Sequence, residues 1–185
     1  MNINRQVAVA IIGAGSAGLY ATPAVRDATD GNFVLINGGA YGTTSVRSGC
    51  MPSKALLQIA EDFHRRQYFA HNGIEGTENL RVNLPLVLDS VRDLRDRFIA
   101  RVLSGLLKIP EANRITGYAR FVEPDVLVVN DEYIRADKII IATGSSPIIP
   151  PQWASFKDYI LTTDTLFEQK DLPSDIAVIG LGAAG

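Results

Sequence analysis

Apolar positions along this chain change their period several times, and each change marks an element. Val7–Ile12 is an unbroken apolar run, the pattern of a strand buried on both faces. Ser16–Ala28 then carries helical spacing, and Phe33–Ile36 is a second short β-type run. Asn37–Gly49 is rich in Gly, Thr and Ser and reads as a loop. Pro52–Ala70 predicts a helix, with Leu56, Ile59, Ala60 and Phe63 on one face and Pro52 suited to its first turn. His71–Asn83 is polar and loop-like. From Pro85 to Leu107, Leu88, Val91, Leu94, Phe98, Val102 and Leu106 again keep helical spacing. Asp93/Arg97 and Arg92/Asp96, paired at i,i+4, predict a solvated opposite face. Three β-type runs close the pattern at Ile115–Val122, Val126–Val129 and Lys138–Ala142, with Asn130-Asp131 as a turn. Pro23 breaks the rule of its own helix, where proline removes a hydrogen bond and costs roughly 3 kcal/mol.

One stretch is written twice. Val9-Ala10-Ile11-Ile12-Gly13-Ala14-Gly15-Ser16-Ala17-Gly18 is echoed by Ile176-Ala177-Val178-Ile179-Gly180-Leu181-Gly182-Ala183-Ala184-Gly185. Each copy is a β-type run feeding into G-x-G-x-x-G, and the separation is too long for a solenoid repeat. The copies therefore predict two similar dinucleotide-binding units, the second cut off where its helix would begin. Alone, the glycine pattern is weak. Here a strand precedes it, a helix follows, and a second strand ends about 20 residues further on, as the dinucleotide fingerprint requires. Gly13 permits the tight turn, Gly15 admits the backbone to a pyrophosphate, and Gly18 allows helix and strand to pack closely. Ser16 and Ala17 open the helix whose N–H groups face the phosphates. An acid is expected on the ribose at the end of the second strand, and Asn37 stands there instead. The fold class is α/β, a doubly wound Rossmann-like sheet with small β additions.

Composition narrows the partners. The chain has 185 residues, 46% of them hydrophobic, and a formal net charge of −2, which leaves no electrostatic footprint for nucleic acid or an anionic membrane. Val7–Val25 is uncharged and imitates a secretory signal, but its apolar run is interrupted by three glycines and Pro23. A single cysteine, Cys50, excludes an intrachain disulfide, and with only two histidines no metal site is expected. A cytoplasmic protein is the expectation.

Gly49-Cys50-Met51-Pro52-Ser53-Lys54, preceded by Gly42-Thr43-Thr44-Ser45-Val46-Arg47-Ser48, resembles the redox-active segment of the flavin-dependent pyridine nucleotide-disulfide oxidoreductases. That segment usually reads G-G-x-C, four residues, then C-x-P-S-K. Ala142-Thr143-Gly144-Ser145-Ser146-Pro147 is similar to the family's second flavin motif, and Gly117-Tyr118-Ala119 stands where the family contacts adenine. The glycine turn at Gly180, Gly182 and Gly185 resembles the start of the NAD(P)H domain. The apolar Ala55-Leu56-Leu57 after Lys54 fits the dihydrolipoamide dehydrogenase and mercuric reductase branch. The resemblance implies FAD held by Gly13, Gly15, Ser16, Ala17, Gly18, Asn37, Gly42, Thr43, Thr44, Gly49, Lys54, Ala119, Thr143, Gly144 and Ser145, and Cys50 as a catalytic thiol. It implies NAD(P), a small-molecule or lipoyl-domain dithiol substrate, and a homodimer for the intact relative. Residues 1–150 are then the FAD-binding domain, 151–175 a linker, and 176–185 the beginning of an NAD(P)-binding domain.

The resemblance fails at the reacting atoms. Ser45 occupies the place of the first cysteine, and serine forms no sulfur–sulfur bond. Thr43 also replaces the second glycine of the segment. The implied activity is electron transfer from a dihydrolipoyl group through disulfide and FAD to NAD. The alternatives are a catalytically dead flavin-binding remnant or engineered fragment, and a relative closer to mercuric or glutathione reductase. A simple NAD-binding dehydrogenase is disfavoured by G-C-M-P-S-K together with A-T-G. His64 and His71 read as solvated side chains and Trp153 as a packing residue.

Overall fold

The structure, a computed structural model, describes residues 2–180 and 182. The chain divides into two compact units, Met1–Thr44 with Ile99–Ser145, and Ser45–Phe98 with Ser146–Gly185. The first contains every strand found among the described residues: β1 (Arg5–Ile12), β2 (Phe33–Asn37), β3 (Arg114–Thr116), β4 (Arg120–Glu123), β5 (Val126–Val129) and β6 (Glu132–Ile141). They form one sheet in the order β3-β2-β1-β6-β5-β4. β3, β2, β1 and β6 run parallel, whereas β5 and β4 are added antiparallel. The parallel core and the small β addition are as the sequence predicted.

β1 is central because both its faces are apolar. Val9 and Ile11 pack with Phe33, Leu35 and Leu106, while Ala10 and Ile12 pack with Val34 and Ile36 on the opposite face. The register places Val9 beside Phe33 and Ile11 beside Leu35. Burying each such Val, Ile or Leu contributes about 1.5–3 kcal/mol, so this double-sided strand is the hardest part of the unit to replace. Helix α1 (Ser16–Ala28) covers one face with Leu19 and Val25.

Two of the β-type runs differ from the bounds read in the sequence, while the Asn130-Asp131 turn stands where it was read. β6 starts at Glu132 rather than Lys138, because Glu132–Arg135 pairs with β5 and Ile134–Ile141 pairs with β1. Asn130 and Asp131 join β5 to β6 at φ 49° and 66°, the left-handed pair that a tight hairpin requires. The run Ile115–Val122 is two strands, not one, since β3 pairs with β2 and β4 with β5. Gly117 lies at the break, where an added Cβ would stand 2.6 Å from Asn130 Oδ1.

In the second unit, α2 (Thr44–Arg47, its first residue still in the first unit) puts one helical turn inside the expected loop. Helix α3 (Cys50–His64) begins two residues before Pro52, with Gly49 as its N-cap. Past His64 the chain tightens into 3₁₀ turns at Arg65–Tyr68 and Ala70–Asn72, ending at Gly73 with φ 76°. Helix α4 (Leu84–Leu106) follows, its Ile99–Leu106 end in the first unit, and Asp93, Asp96 and Arg97 are exposed as the charge pattern predicted, whereas Arg92 and Arg95 are covered. Arg92 and Arg95 retain only 18% and 10% side-chain exposure. Arg92 Nη1 donates to Phe167 O (3.2 Å) and Gln169 O (2.5 Å), and Arg95 pairs with Glu168 at 2.5 Å. Arg92 thus satisfies two backbone carbonyls just beyond α5 (Thr163–Leu166), and Arg95 pairs with a carboxylate of the same segment. The Arg92/Asp96 pair is replaced by Arg92/Asp89 and Arg95/Asp96.

Ile176–Ile179, expected as the first strand of a second dinucleotide unit, lies outside every strand, with Ile176, Val178 and Ile179 exposed. A β-run gains its ladder only from a neighbour, and among the described residues none pairs with it. Gly180 has φ 122°, Gly182 is described, and Gly185 lies outside the described residues.

α1 continues through Pro23, whose missing N–H leaves Leu19 O without its helical donor. Pro23 is exposed, so no packing offsets that loss. Pro23→Ala is expected to raise stability by about 1–3 kcal/mol, measured as a higher urea midpoint with an unchanged slope.

Candidate functional site

The carboxyl ends of β1, β2 and β6 converge in the first unit. Strand order reverses at β1, the place where open α/β sheets bind their ligands. Gly13 leaves β1 at φ 109°, and a Cβ there would lie 2.2 Å from Ala142 O. Ala142 N in turn donates to Ile12 O at 2.8 Å. No residue with a side chain can make this crossing. Gly18 is equally constrained, since its Cβ would meet Gly13 O at 1.8 Å. Gly15 is different: nothing lies within 4 Å of the Cβ it lacks.

Gly15 is the N-cap of α1, with φ −81° and ψ −168° and no side-chain capping bond. The first turn of α1 holds no acid. The N–H groups of Ser16, Ala17 and Gly18 are thus the uncapped positive end of a 13-residue helix, a ready receptor for an anion. The open space at Gly15 gives a phosphate room to reach them. Thr143, Gly144 and Ser145 leave β6 beside this turn as exposed residues.

At the end of β2 the structure brings Asn37 together with Gly117-Tyr118-Ala119. Gly117 N donates to Asn37 O at 3.0 Å, and Gly38 lies under the Tyr118 ring, where a Cβ would stand 2.5 Å from ring carbons. Ala119 packs on the core cluster of Val34 and Ile36. Tyr41 and Thr116 share a hydroxyl–hydroxyl bond of 2.8 Å. Gly42 has φ 96° and Thr43 is buried, while Thr44 opens α2. What the sequence did not disclose is the direction of Asn37: its side chain turns to the glycine loop, accepting from Ala14 N at 3.0 Å.

The redox-like segment belongs to the second unit. Ser45 lies in α2, and Gly49 and Cys50 begin α3. Cys50 is exposed and unpaired. Because α3 starts at Cys50, the sulfur sits on the helix's own first residue rather than ahead of a helix beginning at Pro52. Ser53 Oγ donates to Cys50 O at 3.2 Å, and Lys54 is exposed one turn further on. Ser48 Oγ donates to Asp164 at 3.1 Å, a bond absent from any local pattern because 116 residues separate the partners.

Residues 7–185 match the family model described as pyridine nucleotide-disulphide oxidoreductase. The chain is 34% identical to the dihydrolipoyl dehydrogenase of Thermus scotoductus, over 95% of this chain and 37% of the relative. Similarity to dihydrolipoyl dehydrogenase 2, mitochondrial, of Arabidopsis thaliana is 30%, covering 96% and 36%. With the mercuric reductase of Lysinibacillus sphaericus it is 32%, covering 95% and 32%. The chain thus spans about a third of the length of these relatives. Among solved structures, LpdA from Mycobacterium tuberculosis shares the fold, with a TM-score of 0.71 at 22% identity over 91% of this chain and 38% of that one. No described helix is long and apolar enough to cross a membrane.

The three glycines should separate on mutation. Gly13→Ala and Gly18→Ala force a Cβ into backbone oxygen and are expected to cost at least about 2 kcal/mol in urea denaturation. Gly15→Ala should keep the native midpoint within about 0.5 kcal/mol yet weaken FAD at least tenfold in an equilibrium titration.

Proposed function

The chain belongs to the pyridine nucleotide-disulphide oxidoreductase family, and on that premise we propose that it is the FAD-binding portion of a flavin-dependent disulfide oxidoreductase most like dihydrolipoamide dehydrogenase. Members of the family bind FAD and NAD(P). The observation that carries the reading is the uncapped N-terminus of α1 beside the open face of Gly15. Ser16, Ala17 and Gly18 would hold the pyrophosphate through backbone N–H groups, with Gly13 fixing the turn from which they point. Thr143, Gly144 and Ser145 complete the carboxyl edge, and Ala119 supports the adenine end. When bound, FAD supplies a two-electron carrier between a thiol pair and a nicotinamide.

Residues 1–150 form the FAD-binding portion in this reading, 151–175 link it onward, and 176–185 open an NAD(P)-binding domain. The substrate of the intact protein would be a small-molecule or lipoyl-domain dithiol, and its assembly a homodimer in the cytoplasm. Of the other residues that the resemblance implies for the cofactor, Gly42, Thr43 and Thr44 lie in the first unit and Gly49 and Lys54 in the second.

Electron storage needs two sulfurs. Oxidising a dithiol makes one S–S bond and releases two protons and two electrons, and this chain contributes a single thiol, Cys50. Ser45 therefore favours a second reading, a flavin-binding protein without dithiol turnover. The two readings share the cofactor and differ in the redox step.

Purified protein is expected to take up FAD and to show dihydrolipoamide-dependent NAD+ reduction no faster than free flavin. Ser45→Cys restores the second sulfur. Under mild oxidation its thiol count should fall from two to none, while the native chain keeps one accessible thiol. A native protein that takes up no flavin, or a Ser45→Cys variant that keeps both thiols, contradicts the assignment of the segment concerned.

A further inference from the structure

Asn37 has both ends of its side-chain amide occupied by backbone. Oδ1 accepts from Ala14 N at 3.0 Å, and Nδ2 donates to Gly39 O at 2.7 Å. The partners fix the orientation, since Ala14 offers only a donor and Gly39 only an acceptor. The residue is half-buried and Ala14 is buried at 2% exposure, so an unpaired Ala14 N–H would carry the cost of a buried orphan donor. Three more bonds join neighbouring strand ends: Gly13 N to Ile36 O (2.7 Å), Gly117 N to Asn37 O (3.0 Å) and Ala142 N to Ile12 O (2.8 Å). Asn37 is the one side chain in this set. It clamps the middle of the Gly13–Gly15 turn to the end of β2.

We propose that Asn37 is a positioning residue of the phosphate-binding turn and not a ribose ligand. An acid at the end of the second strand of a dinucleotide fold ordinarily bonds the ribose hydroxyls. Here the amide is turned inward, its acceptor holding Ala14 N–H and its donor holding Gly39 O. The adenosine ribose therefore meets no side-chain charge at this position, and recognition falls on the diphosphate. A nucleotide diphosphate should bind equally well with or without its ribose 2′-hydroxyl. The inference rests on the dinucleotide reading for its ligand, but the clamp itself can be measured without one.

The experiment compares native protein, Asn37→Asp and Asn37→Ala by two readouts. Amide exchange at Ala14 reports the clamp in the absence of ligand: at least tenfold faster exchange is expected in Asn37→Ala, and near-native exchange in Asn37→Asp, which keeps an acceptor for the Ala14 N–H. Competition by ADP and 2′-deoxy-ADP against bound FAD reports recognition. Asn37→Ala should weaken both nucleotides by the same factor, about five- to tenfold, and the ratio between them should stay near one in all three proteins. If 2′-deoxy-ADP binds native protein at least fivefold more weakly than ADP, and the difference vanishes in Asn37→Ala, Asn37 is a ribose ligand and the proposal is overturned. Unchanged Ala14 exchange in Asn37→Ala overturns it as well. Native Ala14 protection with no binding of FAD or ADP defeats the dinucleotide reading while the clamp stands.

Discussion

The first unit depends on one close contact, the passage of Gly13 against the carbonyl of Ala142. There the backbone leaving β1 touches the backbone leaving β6, at a separation that leaves no room for a Cβ. The contact keeps the two strand ends together and aims the next three residues across the edge of the sheet. α1 can then start at Ser16 with its N–H groups facing outward. Gly18 repeats the constraint one turn later against Gly13 O, so helix, turn and strand form a single rigid corner. Burial of β1 on both faces provides the stability to hold it.

From this corner the chemistry follows without any charged side chain. An uncapped helix end, free of acids, carries roughly half a positive charge in its N–H groups. Gly15 gives access to it. Recognition of a diphosphate by backbone alone tolerates wide change elsewhere in the chain, provided that the glycines keep their places. The sulfur segment is governed by different physics. Cys50 stands exposed and unpaired at the start of α3, and Ser45 offers no sulfur with which it could form a disulfide. The glycine corner has the geometry of an anion receptor, whereas the sulfur segment carries one thiol.

Local pattern made much of this legible. α1 spans the residues its spacing predicted, and β2 and β5 were marked by apolar runs bounded by turn residues. Glycines that serve contact were visible because strand, turn and helix follow in fixed order. Features created by distant segments were not visible. The first half of β6 reads as a charged stretch, Glu132, Arg135 and Asp137, and becomes a strand only because β5 and β1 both offer it edges. Arg92 and Arg95 looked solvated until the 163–169 segment covered them. Asn37 looked like a weakened ribose ligand, since nothing in sequence shows that its amide turns back to Ala14.

The most direct test of the account is backbone amide chemical-shift mapping of the protein titrated with ADP. A diphosphate held by the α1 N-terminus should move the amides of Gly15, Ser16, Ala17 and Gly18 most, saturating together with one affinity. If those four amides stay fixed while others shift, the corner built by Gly13 and Ala142 is not the phosphate site, and the account fails at its centre.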